Sequence, residues 1–186
     1  ATRDITLSLT PVNLVVSLLF LLTFHQKYSL DGIFALLFVG ICGYFLEVAG
    51  VATQSIFGKY QYGSTLGPKH WAVPFTMALN WIIPIYCTRI IAQKATKNTL
   101  LVALISASLM TGLDFILEPV AVFMDMWTWS GTQIPWNNYL VWFIASFAIQ
   151  WAYTLMERKI SNGIAIPLFI IQLVFFGVIH LYTLFI

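Results

Sequence analysis

The sequence is short of charged residues, and this shortage narrows what the protein can be. Only 9% of its 186 residues are charged, whereas 60% are hydrophobic and the mean hydropathy is +0.86. An ordinary soluble domain has about 25% charged residues, so that class is excluded. The nine basic residues are scattered along the chain. Because nucleic-acid binding needs basic residues gathered on one face, no nucleic-acid partner is expected.

The sequence also lacks the short motifs of cofactor and metal chemistry. Its two cysteines, Cys42 and Cys87, show none of the CxxC or Cys/His spacings that predict zinc or haem. Neither GxGxxG nor GxxxxGK(S/T) occurs, so no phosphate-binding loop is expected. The absence of an Asp-rich diphosphate motif disfavours a magnesium-dependent prenyl transferase. We therefore expect neither a metal nor a cofactor.

Long apolar stretches are what the sequence has instead. Six stretches of about 17–25 residues are each long enough to cross a bilayer as a helix. They cover residues 7–24, 32–52, 72–92, 99–123, 137–156 and 164–186. The sequence thus predicts an all-α integral membrane protein. Residues 1–186 would form a single transmembrane domain, a bundle of about six transmembrane helices.

The basic residues indicate an orientation for these six spans. One side of the membrane would carry three of them, Arg3, Lys59 and Lys69, and the other side six. Since the cytoplasmic side is richer in Lys and Arg, the second side is expected to be cytoplasmic and both termini to lie outside. Arg89 is interpreted as a cytoplasmic anchor. The six cytoplasmic residues are Lys27, Arg89, Lys94, Lys97, Arg158 and Lys159.

Residues 113–129, LDFILEPVAVFMDMWTW, place carboxylates in an apolar helix. Asp114 and Glu118 are four residues apart and therefore share one helix face. Two ionised carboxylates that close in hydrocarbon are costly, so we expect the pair to share a proton. Pro119 would bend the helix and widen the space beside them.

Further polar residues occur in the second and third stretches. Glu47 lies about one turn from the outer end of its stretch, where it could either reach the membrane interface or serve a buried site. Asn80 and Trp81 lie near the middle of the third stretch. An amide at that depth indicates a structural hydrogen bond or a contact within a site.

The two outer connections indicate a loose parallel internal repeat. In each half a carboxylate precedes two aromatic residues by 13 and 15 positions. The halves cover about 32–92 and 99–156 and run in the same direction, so their polar groups would converge at one level. Trp142 follows Asn138 much as Trp81 follows Asn80. The paired residues are Glu47 with Tyr60 and Tyr62, and Asp114 with Trp127 and Trp129.

This set of residues suits acid chemistry on an isoprenoid. A buried carboxylic acid can protonate a weak base, and aromatic faces can stabilise the resulting cation. In a membrane, the terminal alkene of a linear carotenoid is such a base, and its protonation gives a tertiary cation. A second carboxylate could steer water onto the cation or remove a proton elsewhere.

About residues 44–143 resemble the carotenoid biosynthesis proteins of the CruF type, which are membrane carotenoid hydratases. The resemblance lies in FLEVAGVATQSIFGKYQYGSTLGPKHWAVPFTMALNW and LDFILEPVAVFMDMWTWSGTQIPWNNYLVWF. It implies addition of water to the end double bond of an acyclic carotenoid, without a redox cofactor, in a prokaryotic cell membrane. Membrane lipid and other carotenoid biosynthesis enzymes are possible partners.

The resemblance and the residue chemistry together give a set of site residues. Asp114 is the expected acid, and Glu47 and Glu118 are the carboxylates that position water or tune the acid. In the final arrangement expected, Asp114 faces Glu47 across the repeat. The residues expected to contact the substrate are Tyr60, Tyr62, Asn80, Trp81, Trp127, Trp129 and Asn138.

Three other functions fit parts of the pattern. A lycopene-type cyclase begins with the same protonation but closes a ring. A proton-coupled transporter would also use intramembrane carboxylates and repeated halves. A polyene-binding subunit without catalysis would need the aromatic residues alone.

Overall fold

The computed structural model describes residues 7–131, 133–157 and 159–185. These residues form six helices whose ends lie within four residues of the ends of the predicted stretches, so the helical prediction is confirmed. Arg3, Arg158 and the final residue of the sixth stretch lie outside the described residues. The helices are α1 (Thr10–Thr23), α2 (Leu30–Thr53), α3 (Thr76–Ala95), α4 (Thr99–Phe123), α5 (Trp136–Met156) and α6 (Ala165–Thr183).

Four helices, α2, α4, α5 and α6, are long and apolar enough to cross a membrane. The first helix has 14 residues, and α3 is on average the least apolar of the six helices. The six-span bundle, the membrane and the sides of the termini therefore stay predictions. Large apolar side chains cover the outer face of α6, as expected for a surface in contact with lipid. They include Ile170, Ile171, Val174, Val178 and Leu181.

Helix α3 is the central helix, which explains its lower hydropathy. Every residue from 83 to 90 is buried, because α1, α2, α4 and α6 pack around it. Two of its polar groups accept from α5: the Gln150 amide donates to the Ile85 carbonyl oxygen at 2.8 Å and to the Thr88 hydroxyl at 3.0 Å.

The interpretation of Arg89 as an interfacial anchor is wrong. Its side chain has no exposed surface, and its guanidinium carbon lies 4.0 Å from the centre of the Tyr153 ring. A guanidinium over an aromatic face gains a cation–π interaction when it loses water. Because α3 is enclosed by other helices, Arg89 projects into protein and not toward the interface.

Local sequence sets where the helices begin and end. The Ser29 hydroxyl accepts from the Gly32 amide at 2.9 Å and caps α2, and the Asn98 side chain caps α4 in the same way. Gln54 ends α2 in the left-handed conformation, with φ of 56°. Pro119 lies inside α4, as the sequence predicted.

In the described residues, the connections after α2 and α4 contain four short strands: β1 (Tyr60–Tyr62), β2 (Lys69–His70), β3 (Val73–Pro74) and β4 (Trp127–Trp129). Strand β1 pairs antiparallel with β4, so that Tyr60 lies opposite Trp129 and Tyr62 opposite Trp127. Strands β2 and β3 form a hairpin, and this is why α3 begins at Thr76 and not at residue 72. The pairing of β1 with β4 joins the two connections.

The β1–β4 pair marks one end of the bundle, here named the carboxylate end. Helices α2 and α4 finish there, and α3 and α5 start there. The outermost helices reach the same end, since Pro11 lies beside Gly67 and the rings of Phe123 and Tyr182 are 6.3 Å apart. At the opposite end, the Asn162 amide donates to the Leu21 carbonyl oxygen at 2.7 Å.

Candidate functional site

Glu47 lies inside the protein and accepts three hydrogen bonds. The Tyr60 and Tyr62 hydroxyls donate to its Oε2 at 2.8 and 2.7 Å, and the Trp81 indole donates to its Oε1 at 3.0 Å. Only 3% of Glu47 is exposed, so the alternative of a side chain reaching the interface does not hold.

The sequence around Glu47 makes this arrangement possible. Alternate residues of a strand point to the same side, so Tyr60 and Tyr62 both reach the carboxylate. One turn before Glu47, a Cβ at Gly43 would lie 2.2 Å from the Trp81 ring. A glycine at this position therefore lets the indole lie against α2 and reach Glu47.

Glu118 has the same arrangement of donors on the other half. The Trp127 and Trp129 indoles donate to its Oε2 at 3.0 and 2.9 Å, and the Asn138 amide donates to its Oε1 at 2.9 Å. The two tryptophans that sequence spacing relates to Asp114 therefore donate to Glu118. The connection before β4 is shorter than the one before β1, so β4 folds back onto the carboxylate nearer the end of its helix.

Asp114 is the least hydrogen-bonded of the three carboxylates. It shares a buried face of α4 with Glu118, as the spacing predicted. Its Oδ2 accepts one bond of 3.3 Å, from the same Asn138 amide that donates to Glu118. Asn138 is itself only 1% exposed, so one buried amide bridges the two carboxylates. The sharing of a proton stays a prediction.

Two small cavities separate the three carboxylates. The first, of about 10 Å³, lies between Glu47 and Glu118 and is walled by the aromatic residues of β1 and β4. The second, of about 20 Å³, lies between α3, α4 and α5 and contains Asp114 and Asn80. Glu118, and not Asp114, therefore faces Glu47. Each cavity is of the size that holds a single water molecule.

Trp142 separates the two cavities and was missing from the predicted site. It lines both of them, and its ring stacks on Trp81 with the centres 4.4 Å apart and the planes 3° from parallel. Its place opposite Trp81 in the repeat was a signal that could have identified it. Phe57, which also lines the first cavity, has no such signal in the sequence.

Asn80 and Trp81 are neighbours in sequence with different surroundings. Trp81 is fully buried and donates to Glu47. Asn80 is half-buried in the wall of the second cavity, and no residue of ranges 7–131, 133–157 and 159–185 forms a hydrogen bond with its side chain. Its amide is thus available to a small polar molecule in that cavity.

The tyrosines of β1 remain hydrogen-bond donors over a wide pH range. Burial, together with the neighbouring Glu47 carboxylate, raises the pKa of Tyr60 and of Tyr62 above its usual value. Both hydroxyls therefore keep the protons that they donate to Glu47.

The carboxylates are arranged for hydrogen bonding and not for metal binding. In the described part of the chain, no group of three or more His, Cys, Asp or Glu side chains could hold a metal ion. The groups around Glu47 and Glu118 are hydroxyl, indole and amide groups, each of which donates a hydrogen bond to a carboxylate oxygen. The prediction that no cofactor is needed remains a prediction.

Comparisons with known proteins identify a protein family that the chain matches and one distant relative. The sequence profile of a family described as "Carotenoid biosynthesis protein" matches residues 8–186. A bisanhydrobacterioruberin hydratase from Haloarcula japonica is 27% identical over 121 residues, which are 60% of this chain. The matched part is 41% of that relative's length, so this chain corresponds to less than half of it. No solved structure matches the chain.

Proposed function

The chain belongs to the carotenoid biosynthesis protein family, and from this premise we propose that it is a carotenoid hydratase. The reaction is acid-catalysed addition of water to the terminal double bond of an acyclic carotenoid end group, giving a tertiary alcohol. The observation that carries the proposal is a carboxyl group with few donors, Asp114, in the wall of a water-sized cavity that also contains Asn80. The hydratase named among its relatives supports it.

The hydrogen bonding supports Asp114 as the donor of the transferred proton. Glu47 and Glu118 each accept three hydrogen bonds, an arrangement that suits an anion. Asp114 accepts one, at Oδ2, which leaves Oδ1 to carry a proton. This proton is transferred to the CH carbon of the terminal alkene, and the π electrons form the new C–H bond. The adjacent, fully substituted carbon becomes a tertiary cation.

The first cavity supplies the environment for this cation. Aromatic faces of β1 and β4 line it, and the carboxylates Glu47 and Glu118 lie on either side. Both features stabilise positive charge in a site from which water is excluded. A volume of about 10 Å³ admits no isoprenoid end group, so the wall must open when the substrate enters. Trp129 is the half-buried aromatic residue of that wall and is the side chain expected to move. Trp142, which lines both cavities, must also move aside for the alkene to reach Asp114.

The second cavity supplies the water. A molecule held between the Asn80 amide and Asp114 is placed to attack the cation once Asp114 has lost its proton. The water oxygen forms the C–O bond, and one of its protons returns to Asp114. The sum is alkene plus water to alcohol, with no change of oxidation state in the protein and with the acid regenerated.

Cyclisation is the competing fate of the same cation. A neighbouring double bond of the substrate would attack it, and loss of a proton would give a ring. The Asn80 amide in the cavity beside Asp114 favours hydration, because it provides a place for water that a cyclase has no need of. The two products differ in mass by one water molecule.

The test is pigment analysis in membranes of cells that make lycopene. With the parent chain, mass spectrometry should detect products heavier than lycopene by one or two water molecules. Asp114→Asn should lower the rate of hydration by about 100-fold or more, the usual contribution of a general acid. Asp31→Asn is the matched control, since Asp31 lies exposed in the first turn of α2 and should leave the rate unchanged.

The comparison requires that both variants accumulate in the membrane and retain bound polyene. Full hydration by Asp114→Asn would disprove the assignment of the acid. A cyclic product of the same mass as lycopene would disprove hydration and identify the chain as a cyclase.

A further inference from the structure

A large cavity lies at the end of the bundle opposite the carboxylates. Its volume is about 830 Å³, within the range of about 300–1,000 Å³ typical of small-molecule sites. It is formed where α3 and α5 finish and α4 starts, together with the connection to α6. Three lysines line it: Lys94, Lys97 and Lys159. We name it the lysine cavity.

The positive charge of this cavity is not neutralised by nearby acids. No carboxylate of the described residues lines it. The closest acid in sequence to Lys159 is Glu157, whose Oε1 instead accepts from the Ser29 hydroxyl at 3.2 Å. Three ammonium groups around one cavity repel one another, so an anion bound between them would be stabilised.

The rest of the lining is amphipathic. Ile90, Val102 and Ile160 give an apolar floor, whereas Thr96 and Ser161 bring hydroxyl groups. A small inorganic ion would leave most of this floor in contact with water. A phosphate group attached to an apolar molecule matches both parts of the lining.

The position of the lysine cavity indicates which kind of molecule could bind there. It lies at the ends of helices long and apolar enough to cross a membrane, the level at which lipid headgroups are found. The first turns of α4, directly after Lys97, expose Leu100, Leu101 and Leu104, which offer a surface to acyl chains. Basic pockets between membrane helices bind anionic headgroups in this way.

We propose that the lysine cavity binds the phosphate headgroup of an anionic phospholipid, with Lys94, Lys97 and Lys159 contacting the phosphate. The site is separate from the carboxylates, and its test does not depend on catalysis. The ligand would hold the ends of α3, α4 and α5 together at the membrane surface.

The test measures lipid retention by the purified full chain. The protein is incorporated into vesicles of phosphatidylglycerol and phosphatidylcholine in equal amounts, extracted in mild detergent, and examined by native mass spectrometry. The parent chain should retain phosphatidylglycerol in preference to phosphatidylcholine. Each of Lys94→Gln, Lys97→Gln and Lys159→Gln should weaken that binding about fivefold, the usual contribution of one lysine near an anionic lipid.

Lys27→Gln is the matched control, because Lys27 is exposed and lies outside the lining of the lysine cavity. It should retain phosphatidylglycerol as the parent does, and the charge-preserving Lys97→Arg should bind nearly as well. Equal retention by the parent and all three glutamine variants would overturn the proposal. Binding of inorganic phosphate by the parent, together with equal retention of phosphatidylglycerol and phosphatidylcholine, would also overturn it, since the ligand would then be a free anion.

Discussion

The two halves that meet at the carboxylate end use the same hydrogen-bonding scheme with one difference. In α2–β1–α3 and in α4–β4–α5, a buried glutamate accepts from two alternate strand residues and from one residue of the following helix. The position four residues before the glutamate is Gly43 in the first half and Asp114 in the second. At Gly43 the Trp81 ring fills the space, whereas Asp114 borders a cavity.

This difference indicates a division of labour between the halves. In the first half, Glu47 is held in place by three hydrogen-bond donors. The second adds a carboxyl group with one hydrogen bond and space beside it, which is what a proton donor to substrate requires. The similarity concerns the donors around the two glutamates and not the whole of each half. The repeat of residues 32–92 and 99–156 therefore stays a prediction.

The largest effect is expected from removing the amide that bridges the two carboxylates of the second half. Asn138→Ala deletes one hydrogen bond to Glu118 and one to Asp114. Their loss should cost about 3 kcal/mol, or about 100-fold in the rate of hydration. The rate is measured from the pigments of membranes that contain equal amounts of protein.

Asn137→Ala is the matched control for Asn138→Ala. Asn137 is the adjacent residue, is exposed, and donates to the Ser55 and Ile56 carbonyl oxygens away from the carboxylates. It should keep at least most of the parent rate. Equal losses in both variants would show that Asn138 acts by anchoring the connection and not by positioning Asp114.

Filling the glycine position of the first half should reduce stability. In Gly43→Ala the new Cβ would lie 2.2 Å from Trp81, so the indole must move away from Glu47. Overpacking of this kind costs about 1–3 kcal/mol, which a lower midpoint of thermal unfolding in detergent would report.

The control for Gly43→Ala is the same change elsewhere in a helix. At Gly112 in α4 an added Cβ would meet no atom within 4 Å, so Gly112→Ala should gain about 1 kcal/mol from helix propensity. If Gly43→Ala and Gly112→Ala changed stability in the same direction, the contact of Trp81 with α2 would not explain the glycine at residue 43.

The tyrosines of the first half should make stability fall at alkaline pH. Burial raises the pKa of Tyr60 and Tyr62, so the folded protein holds two protons that the unfolded chain loses above about pH 10. Stability that is complete below pH 10 should then fall by about 1.4 kcal/mol per pH unit for each tyrosine. The double variant Tyr60→Phe/Tyr62→Phe should show a shallower fall, because the contribution of these two tyrosines is gone, when unfolding is measured between about pH 9 and pH 11. An unchanged slope would contradict the burial of the two hydroxyls.

The helices were predictable because each is a continuous apolar run, but the contacts between the connections were not. Strands of two or three residues have no periodic signal, and the pairing of β1 with β4 joins residues far apart in sequence. Equal spacing of 13 and 15 positions to an aromatic pair made Asp114 the counterpart of Glu47 in the sequence. Residues 54–59 precede β1, whereas only 124–126 precede β4, so the shorter connection brings the tryptophans to Glu118.

Two other residues, Arg89 and Glu47, could have lain at the membrane interface but are buried in the protein. A lone arginine near a helix end is usually an interfacial anchor, but Arg89 belongs to the enclosed helix α3, a fact that depends on the packing of four neighbours. The sequence favoured a buried site for Glu47 but also allowed the interface, and Tyr60, Tyr62 and Trp81 surround it in the structure. Composition gives the residue types, whereas the tertiary contacts decide which of them are buried.

The smallest effect is expected from changing Asn80, which lines the second cavity and is proposed to hold the water. Asn80→Leu keeps the branched shape of the side chain but removes the amide opposite Asp114. Losing one neutral hydrogen bond to the bound water should cost about 1 kcal/mol, or about fivefold in its capture by the cation. The cation should then lose a proton or close a ring more often, so the fraction of alcohol among all products falls while total turnover changes little.

Met110→Leu tests whether this shift comes from the amide or from the shape of the cavity. Met110 lines the same cavity, and replacement by leucine conserves volume without touching a polar group. The product ratio should therefore stay at the parent value. If Asn80→Leu also left the ratio unchanged, the water would have to reach the cation from the Glu47 side, and the two halves would exchange the roles assigned to them.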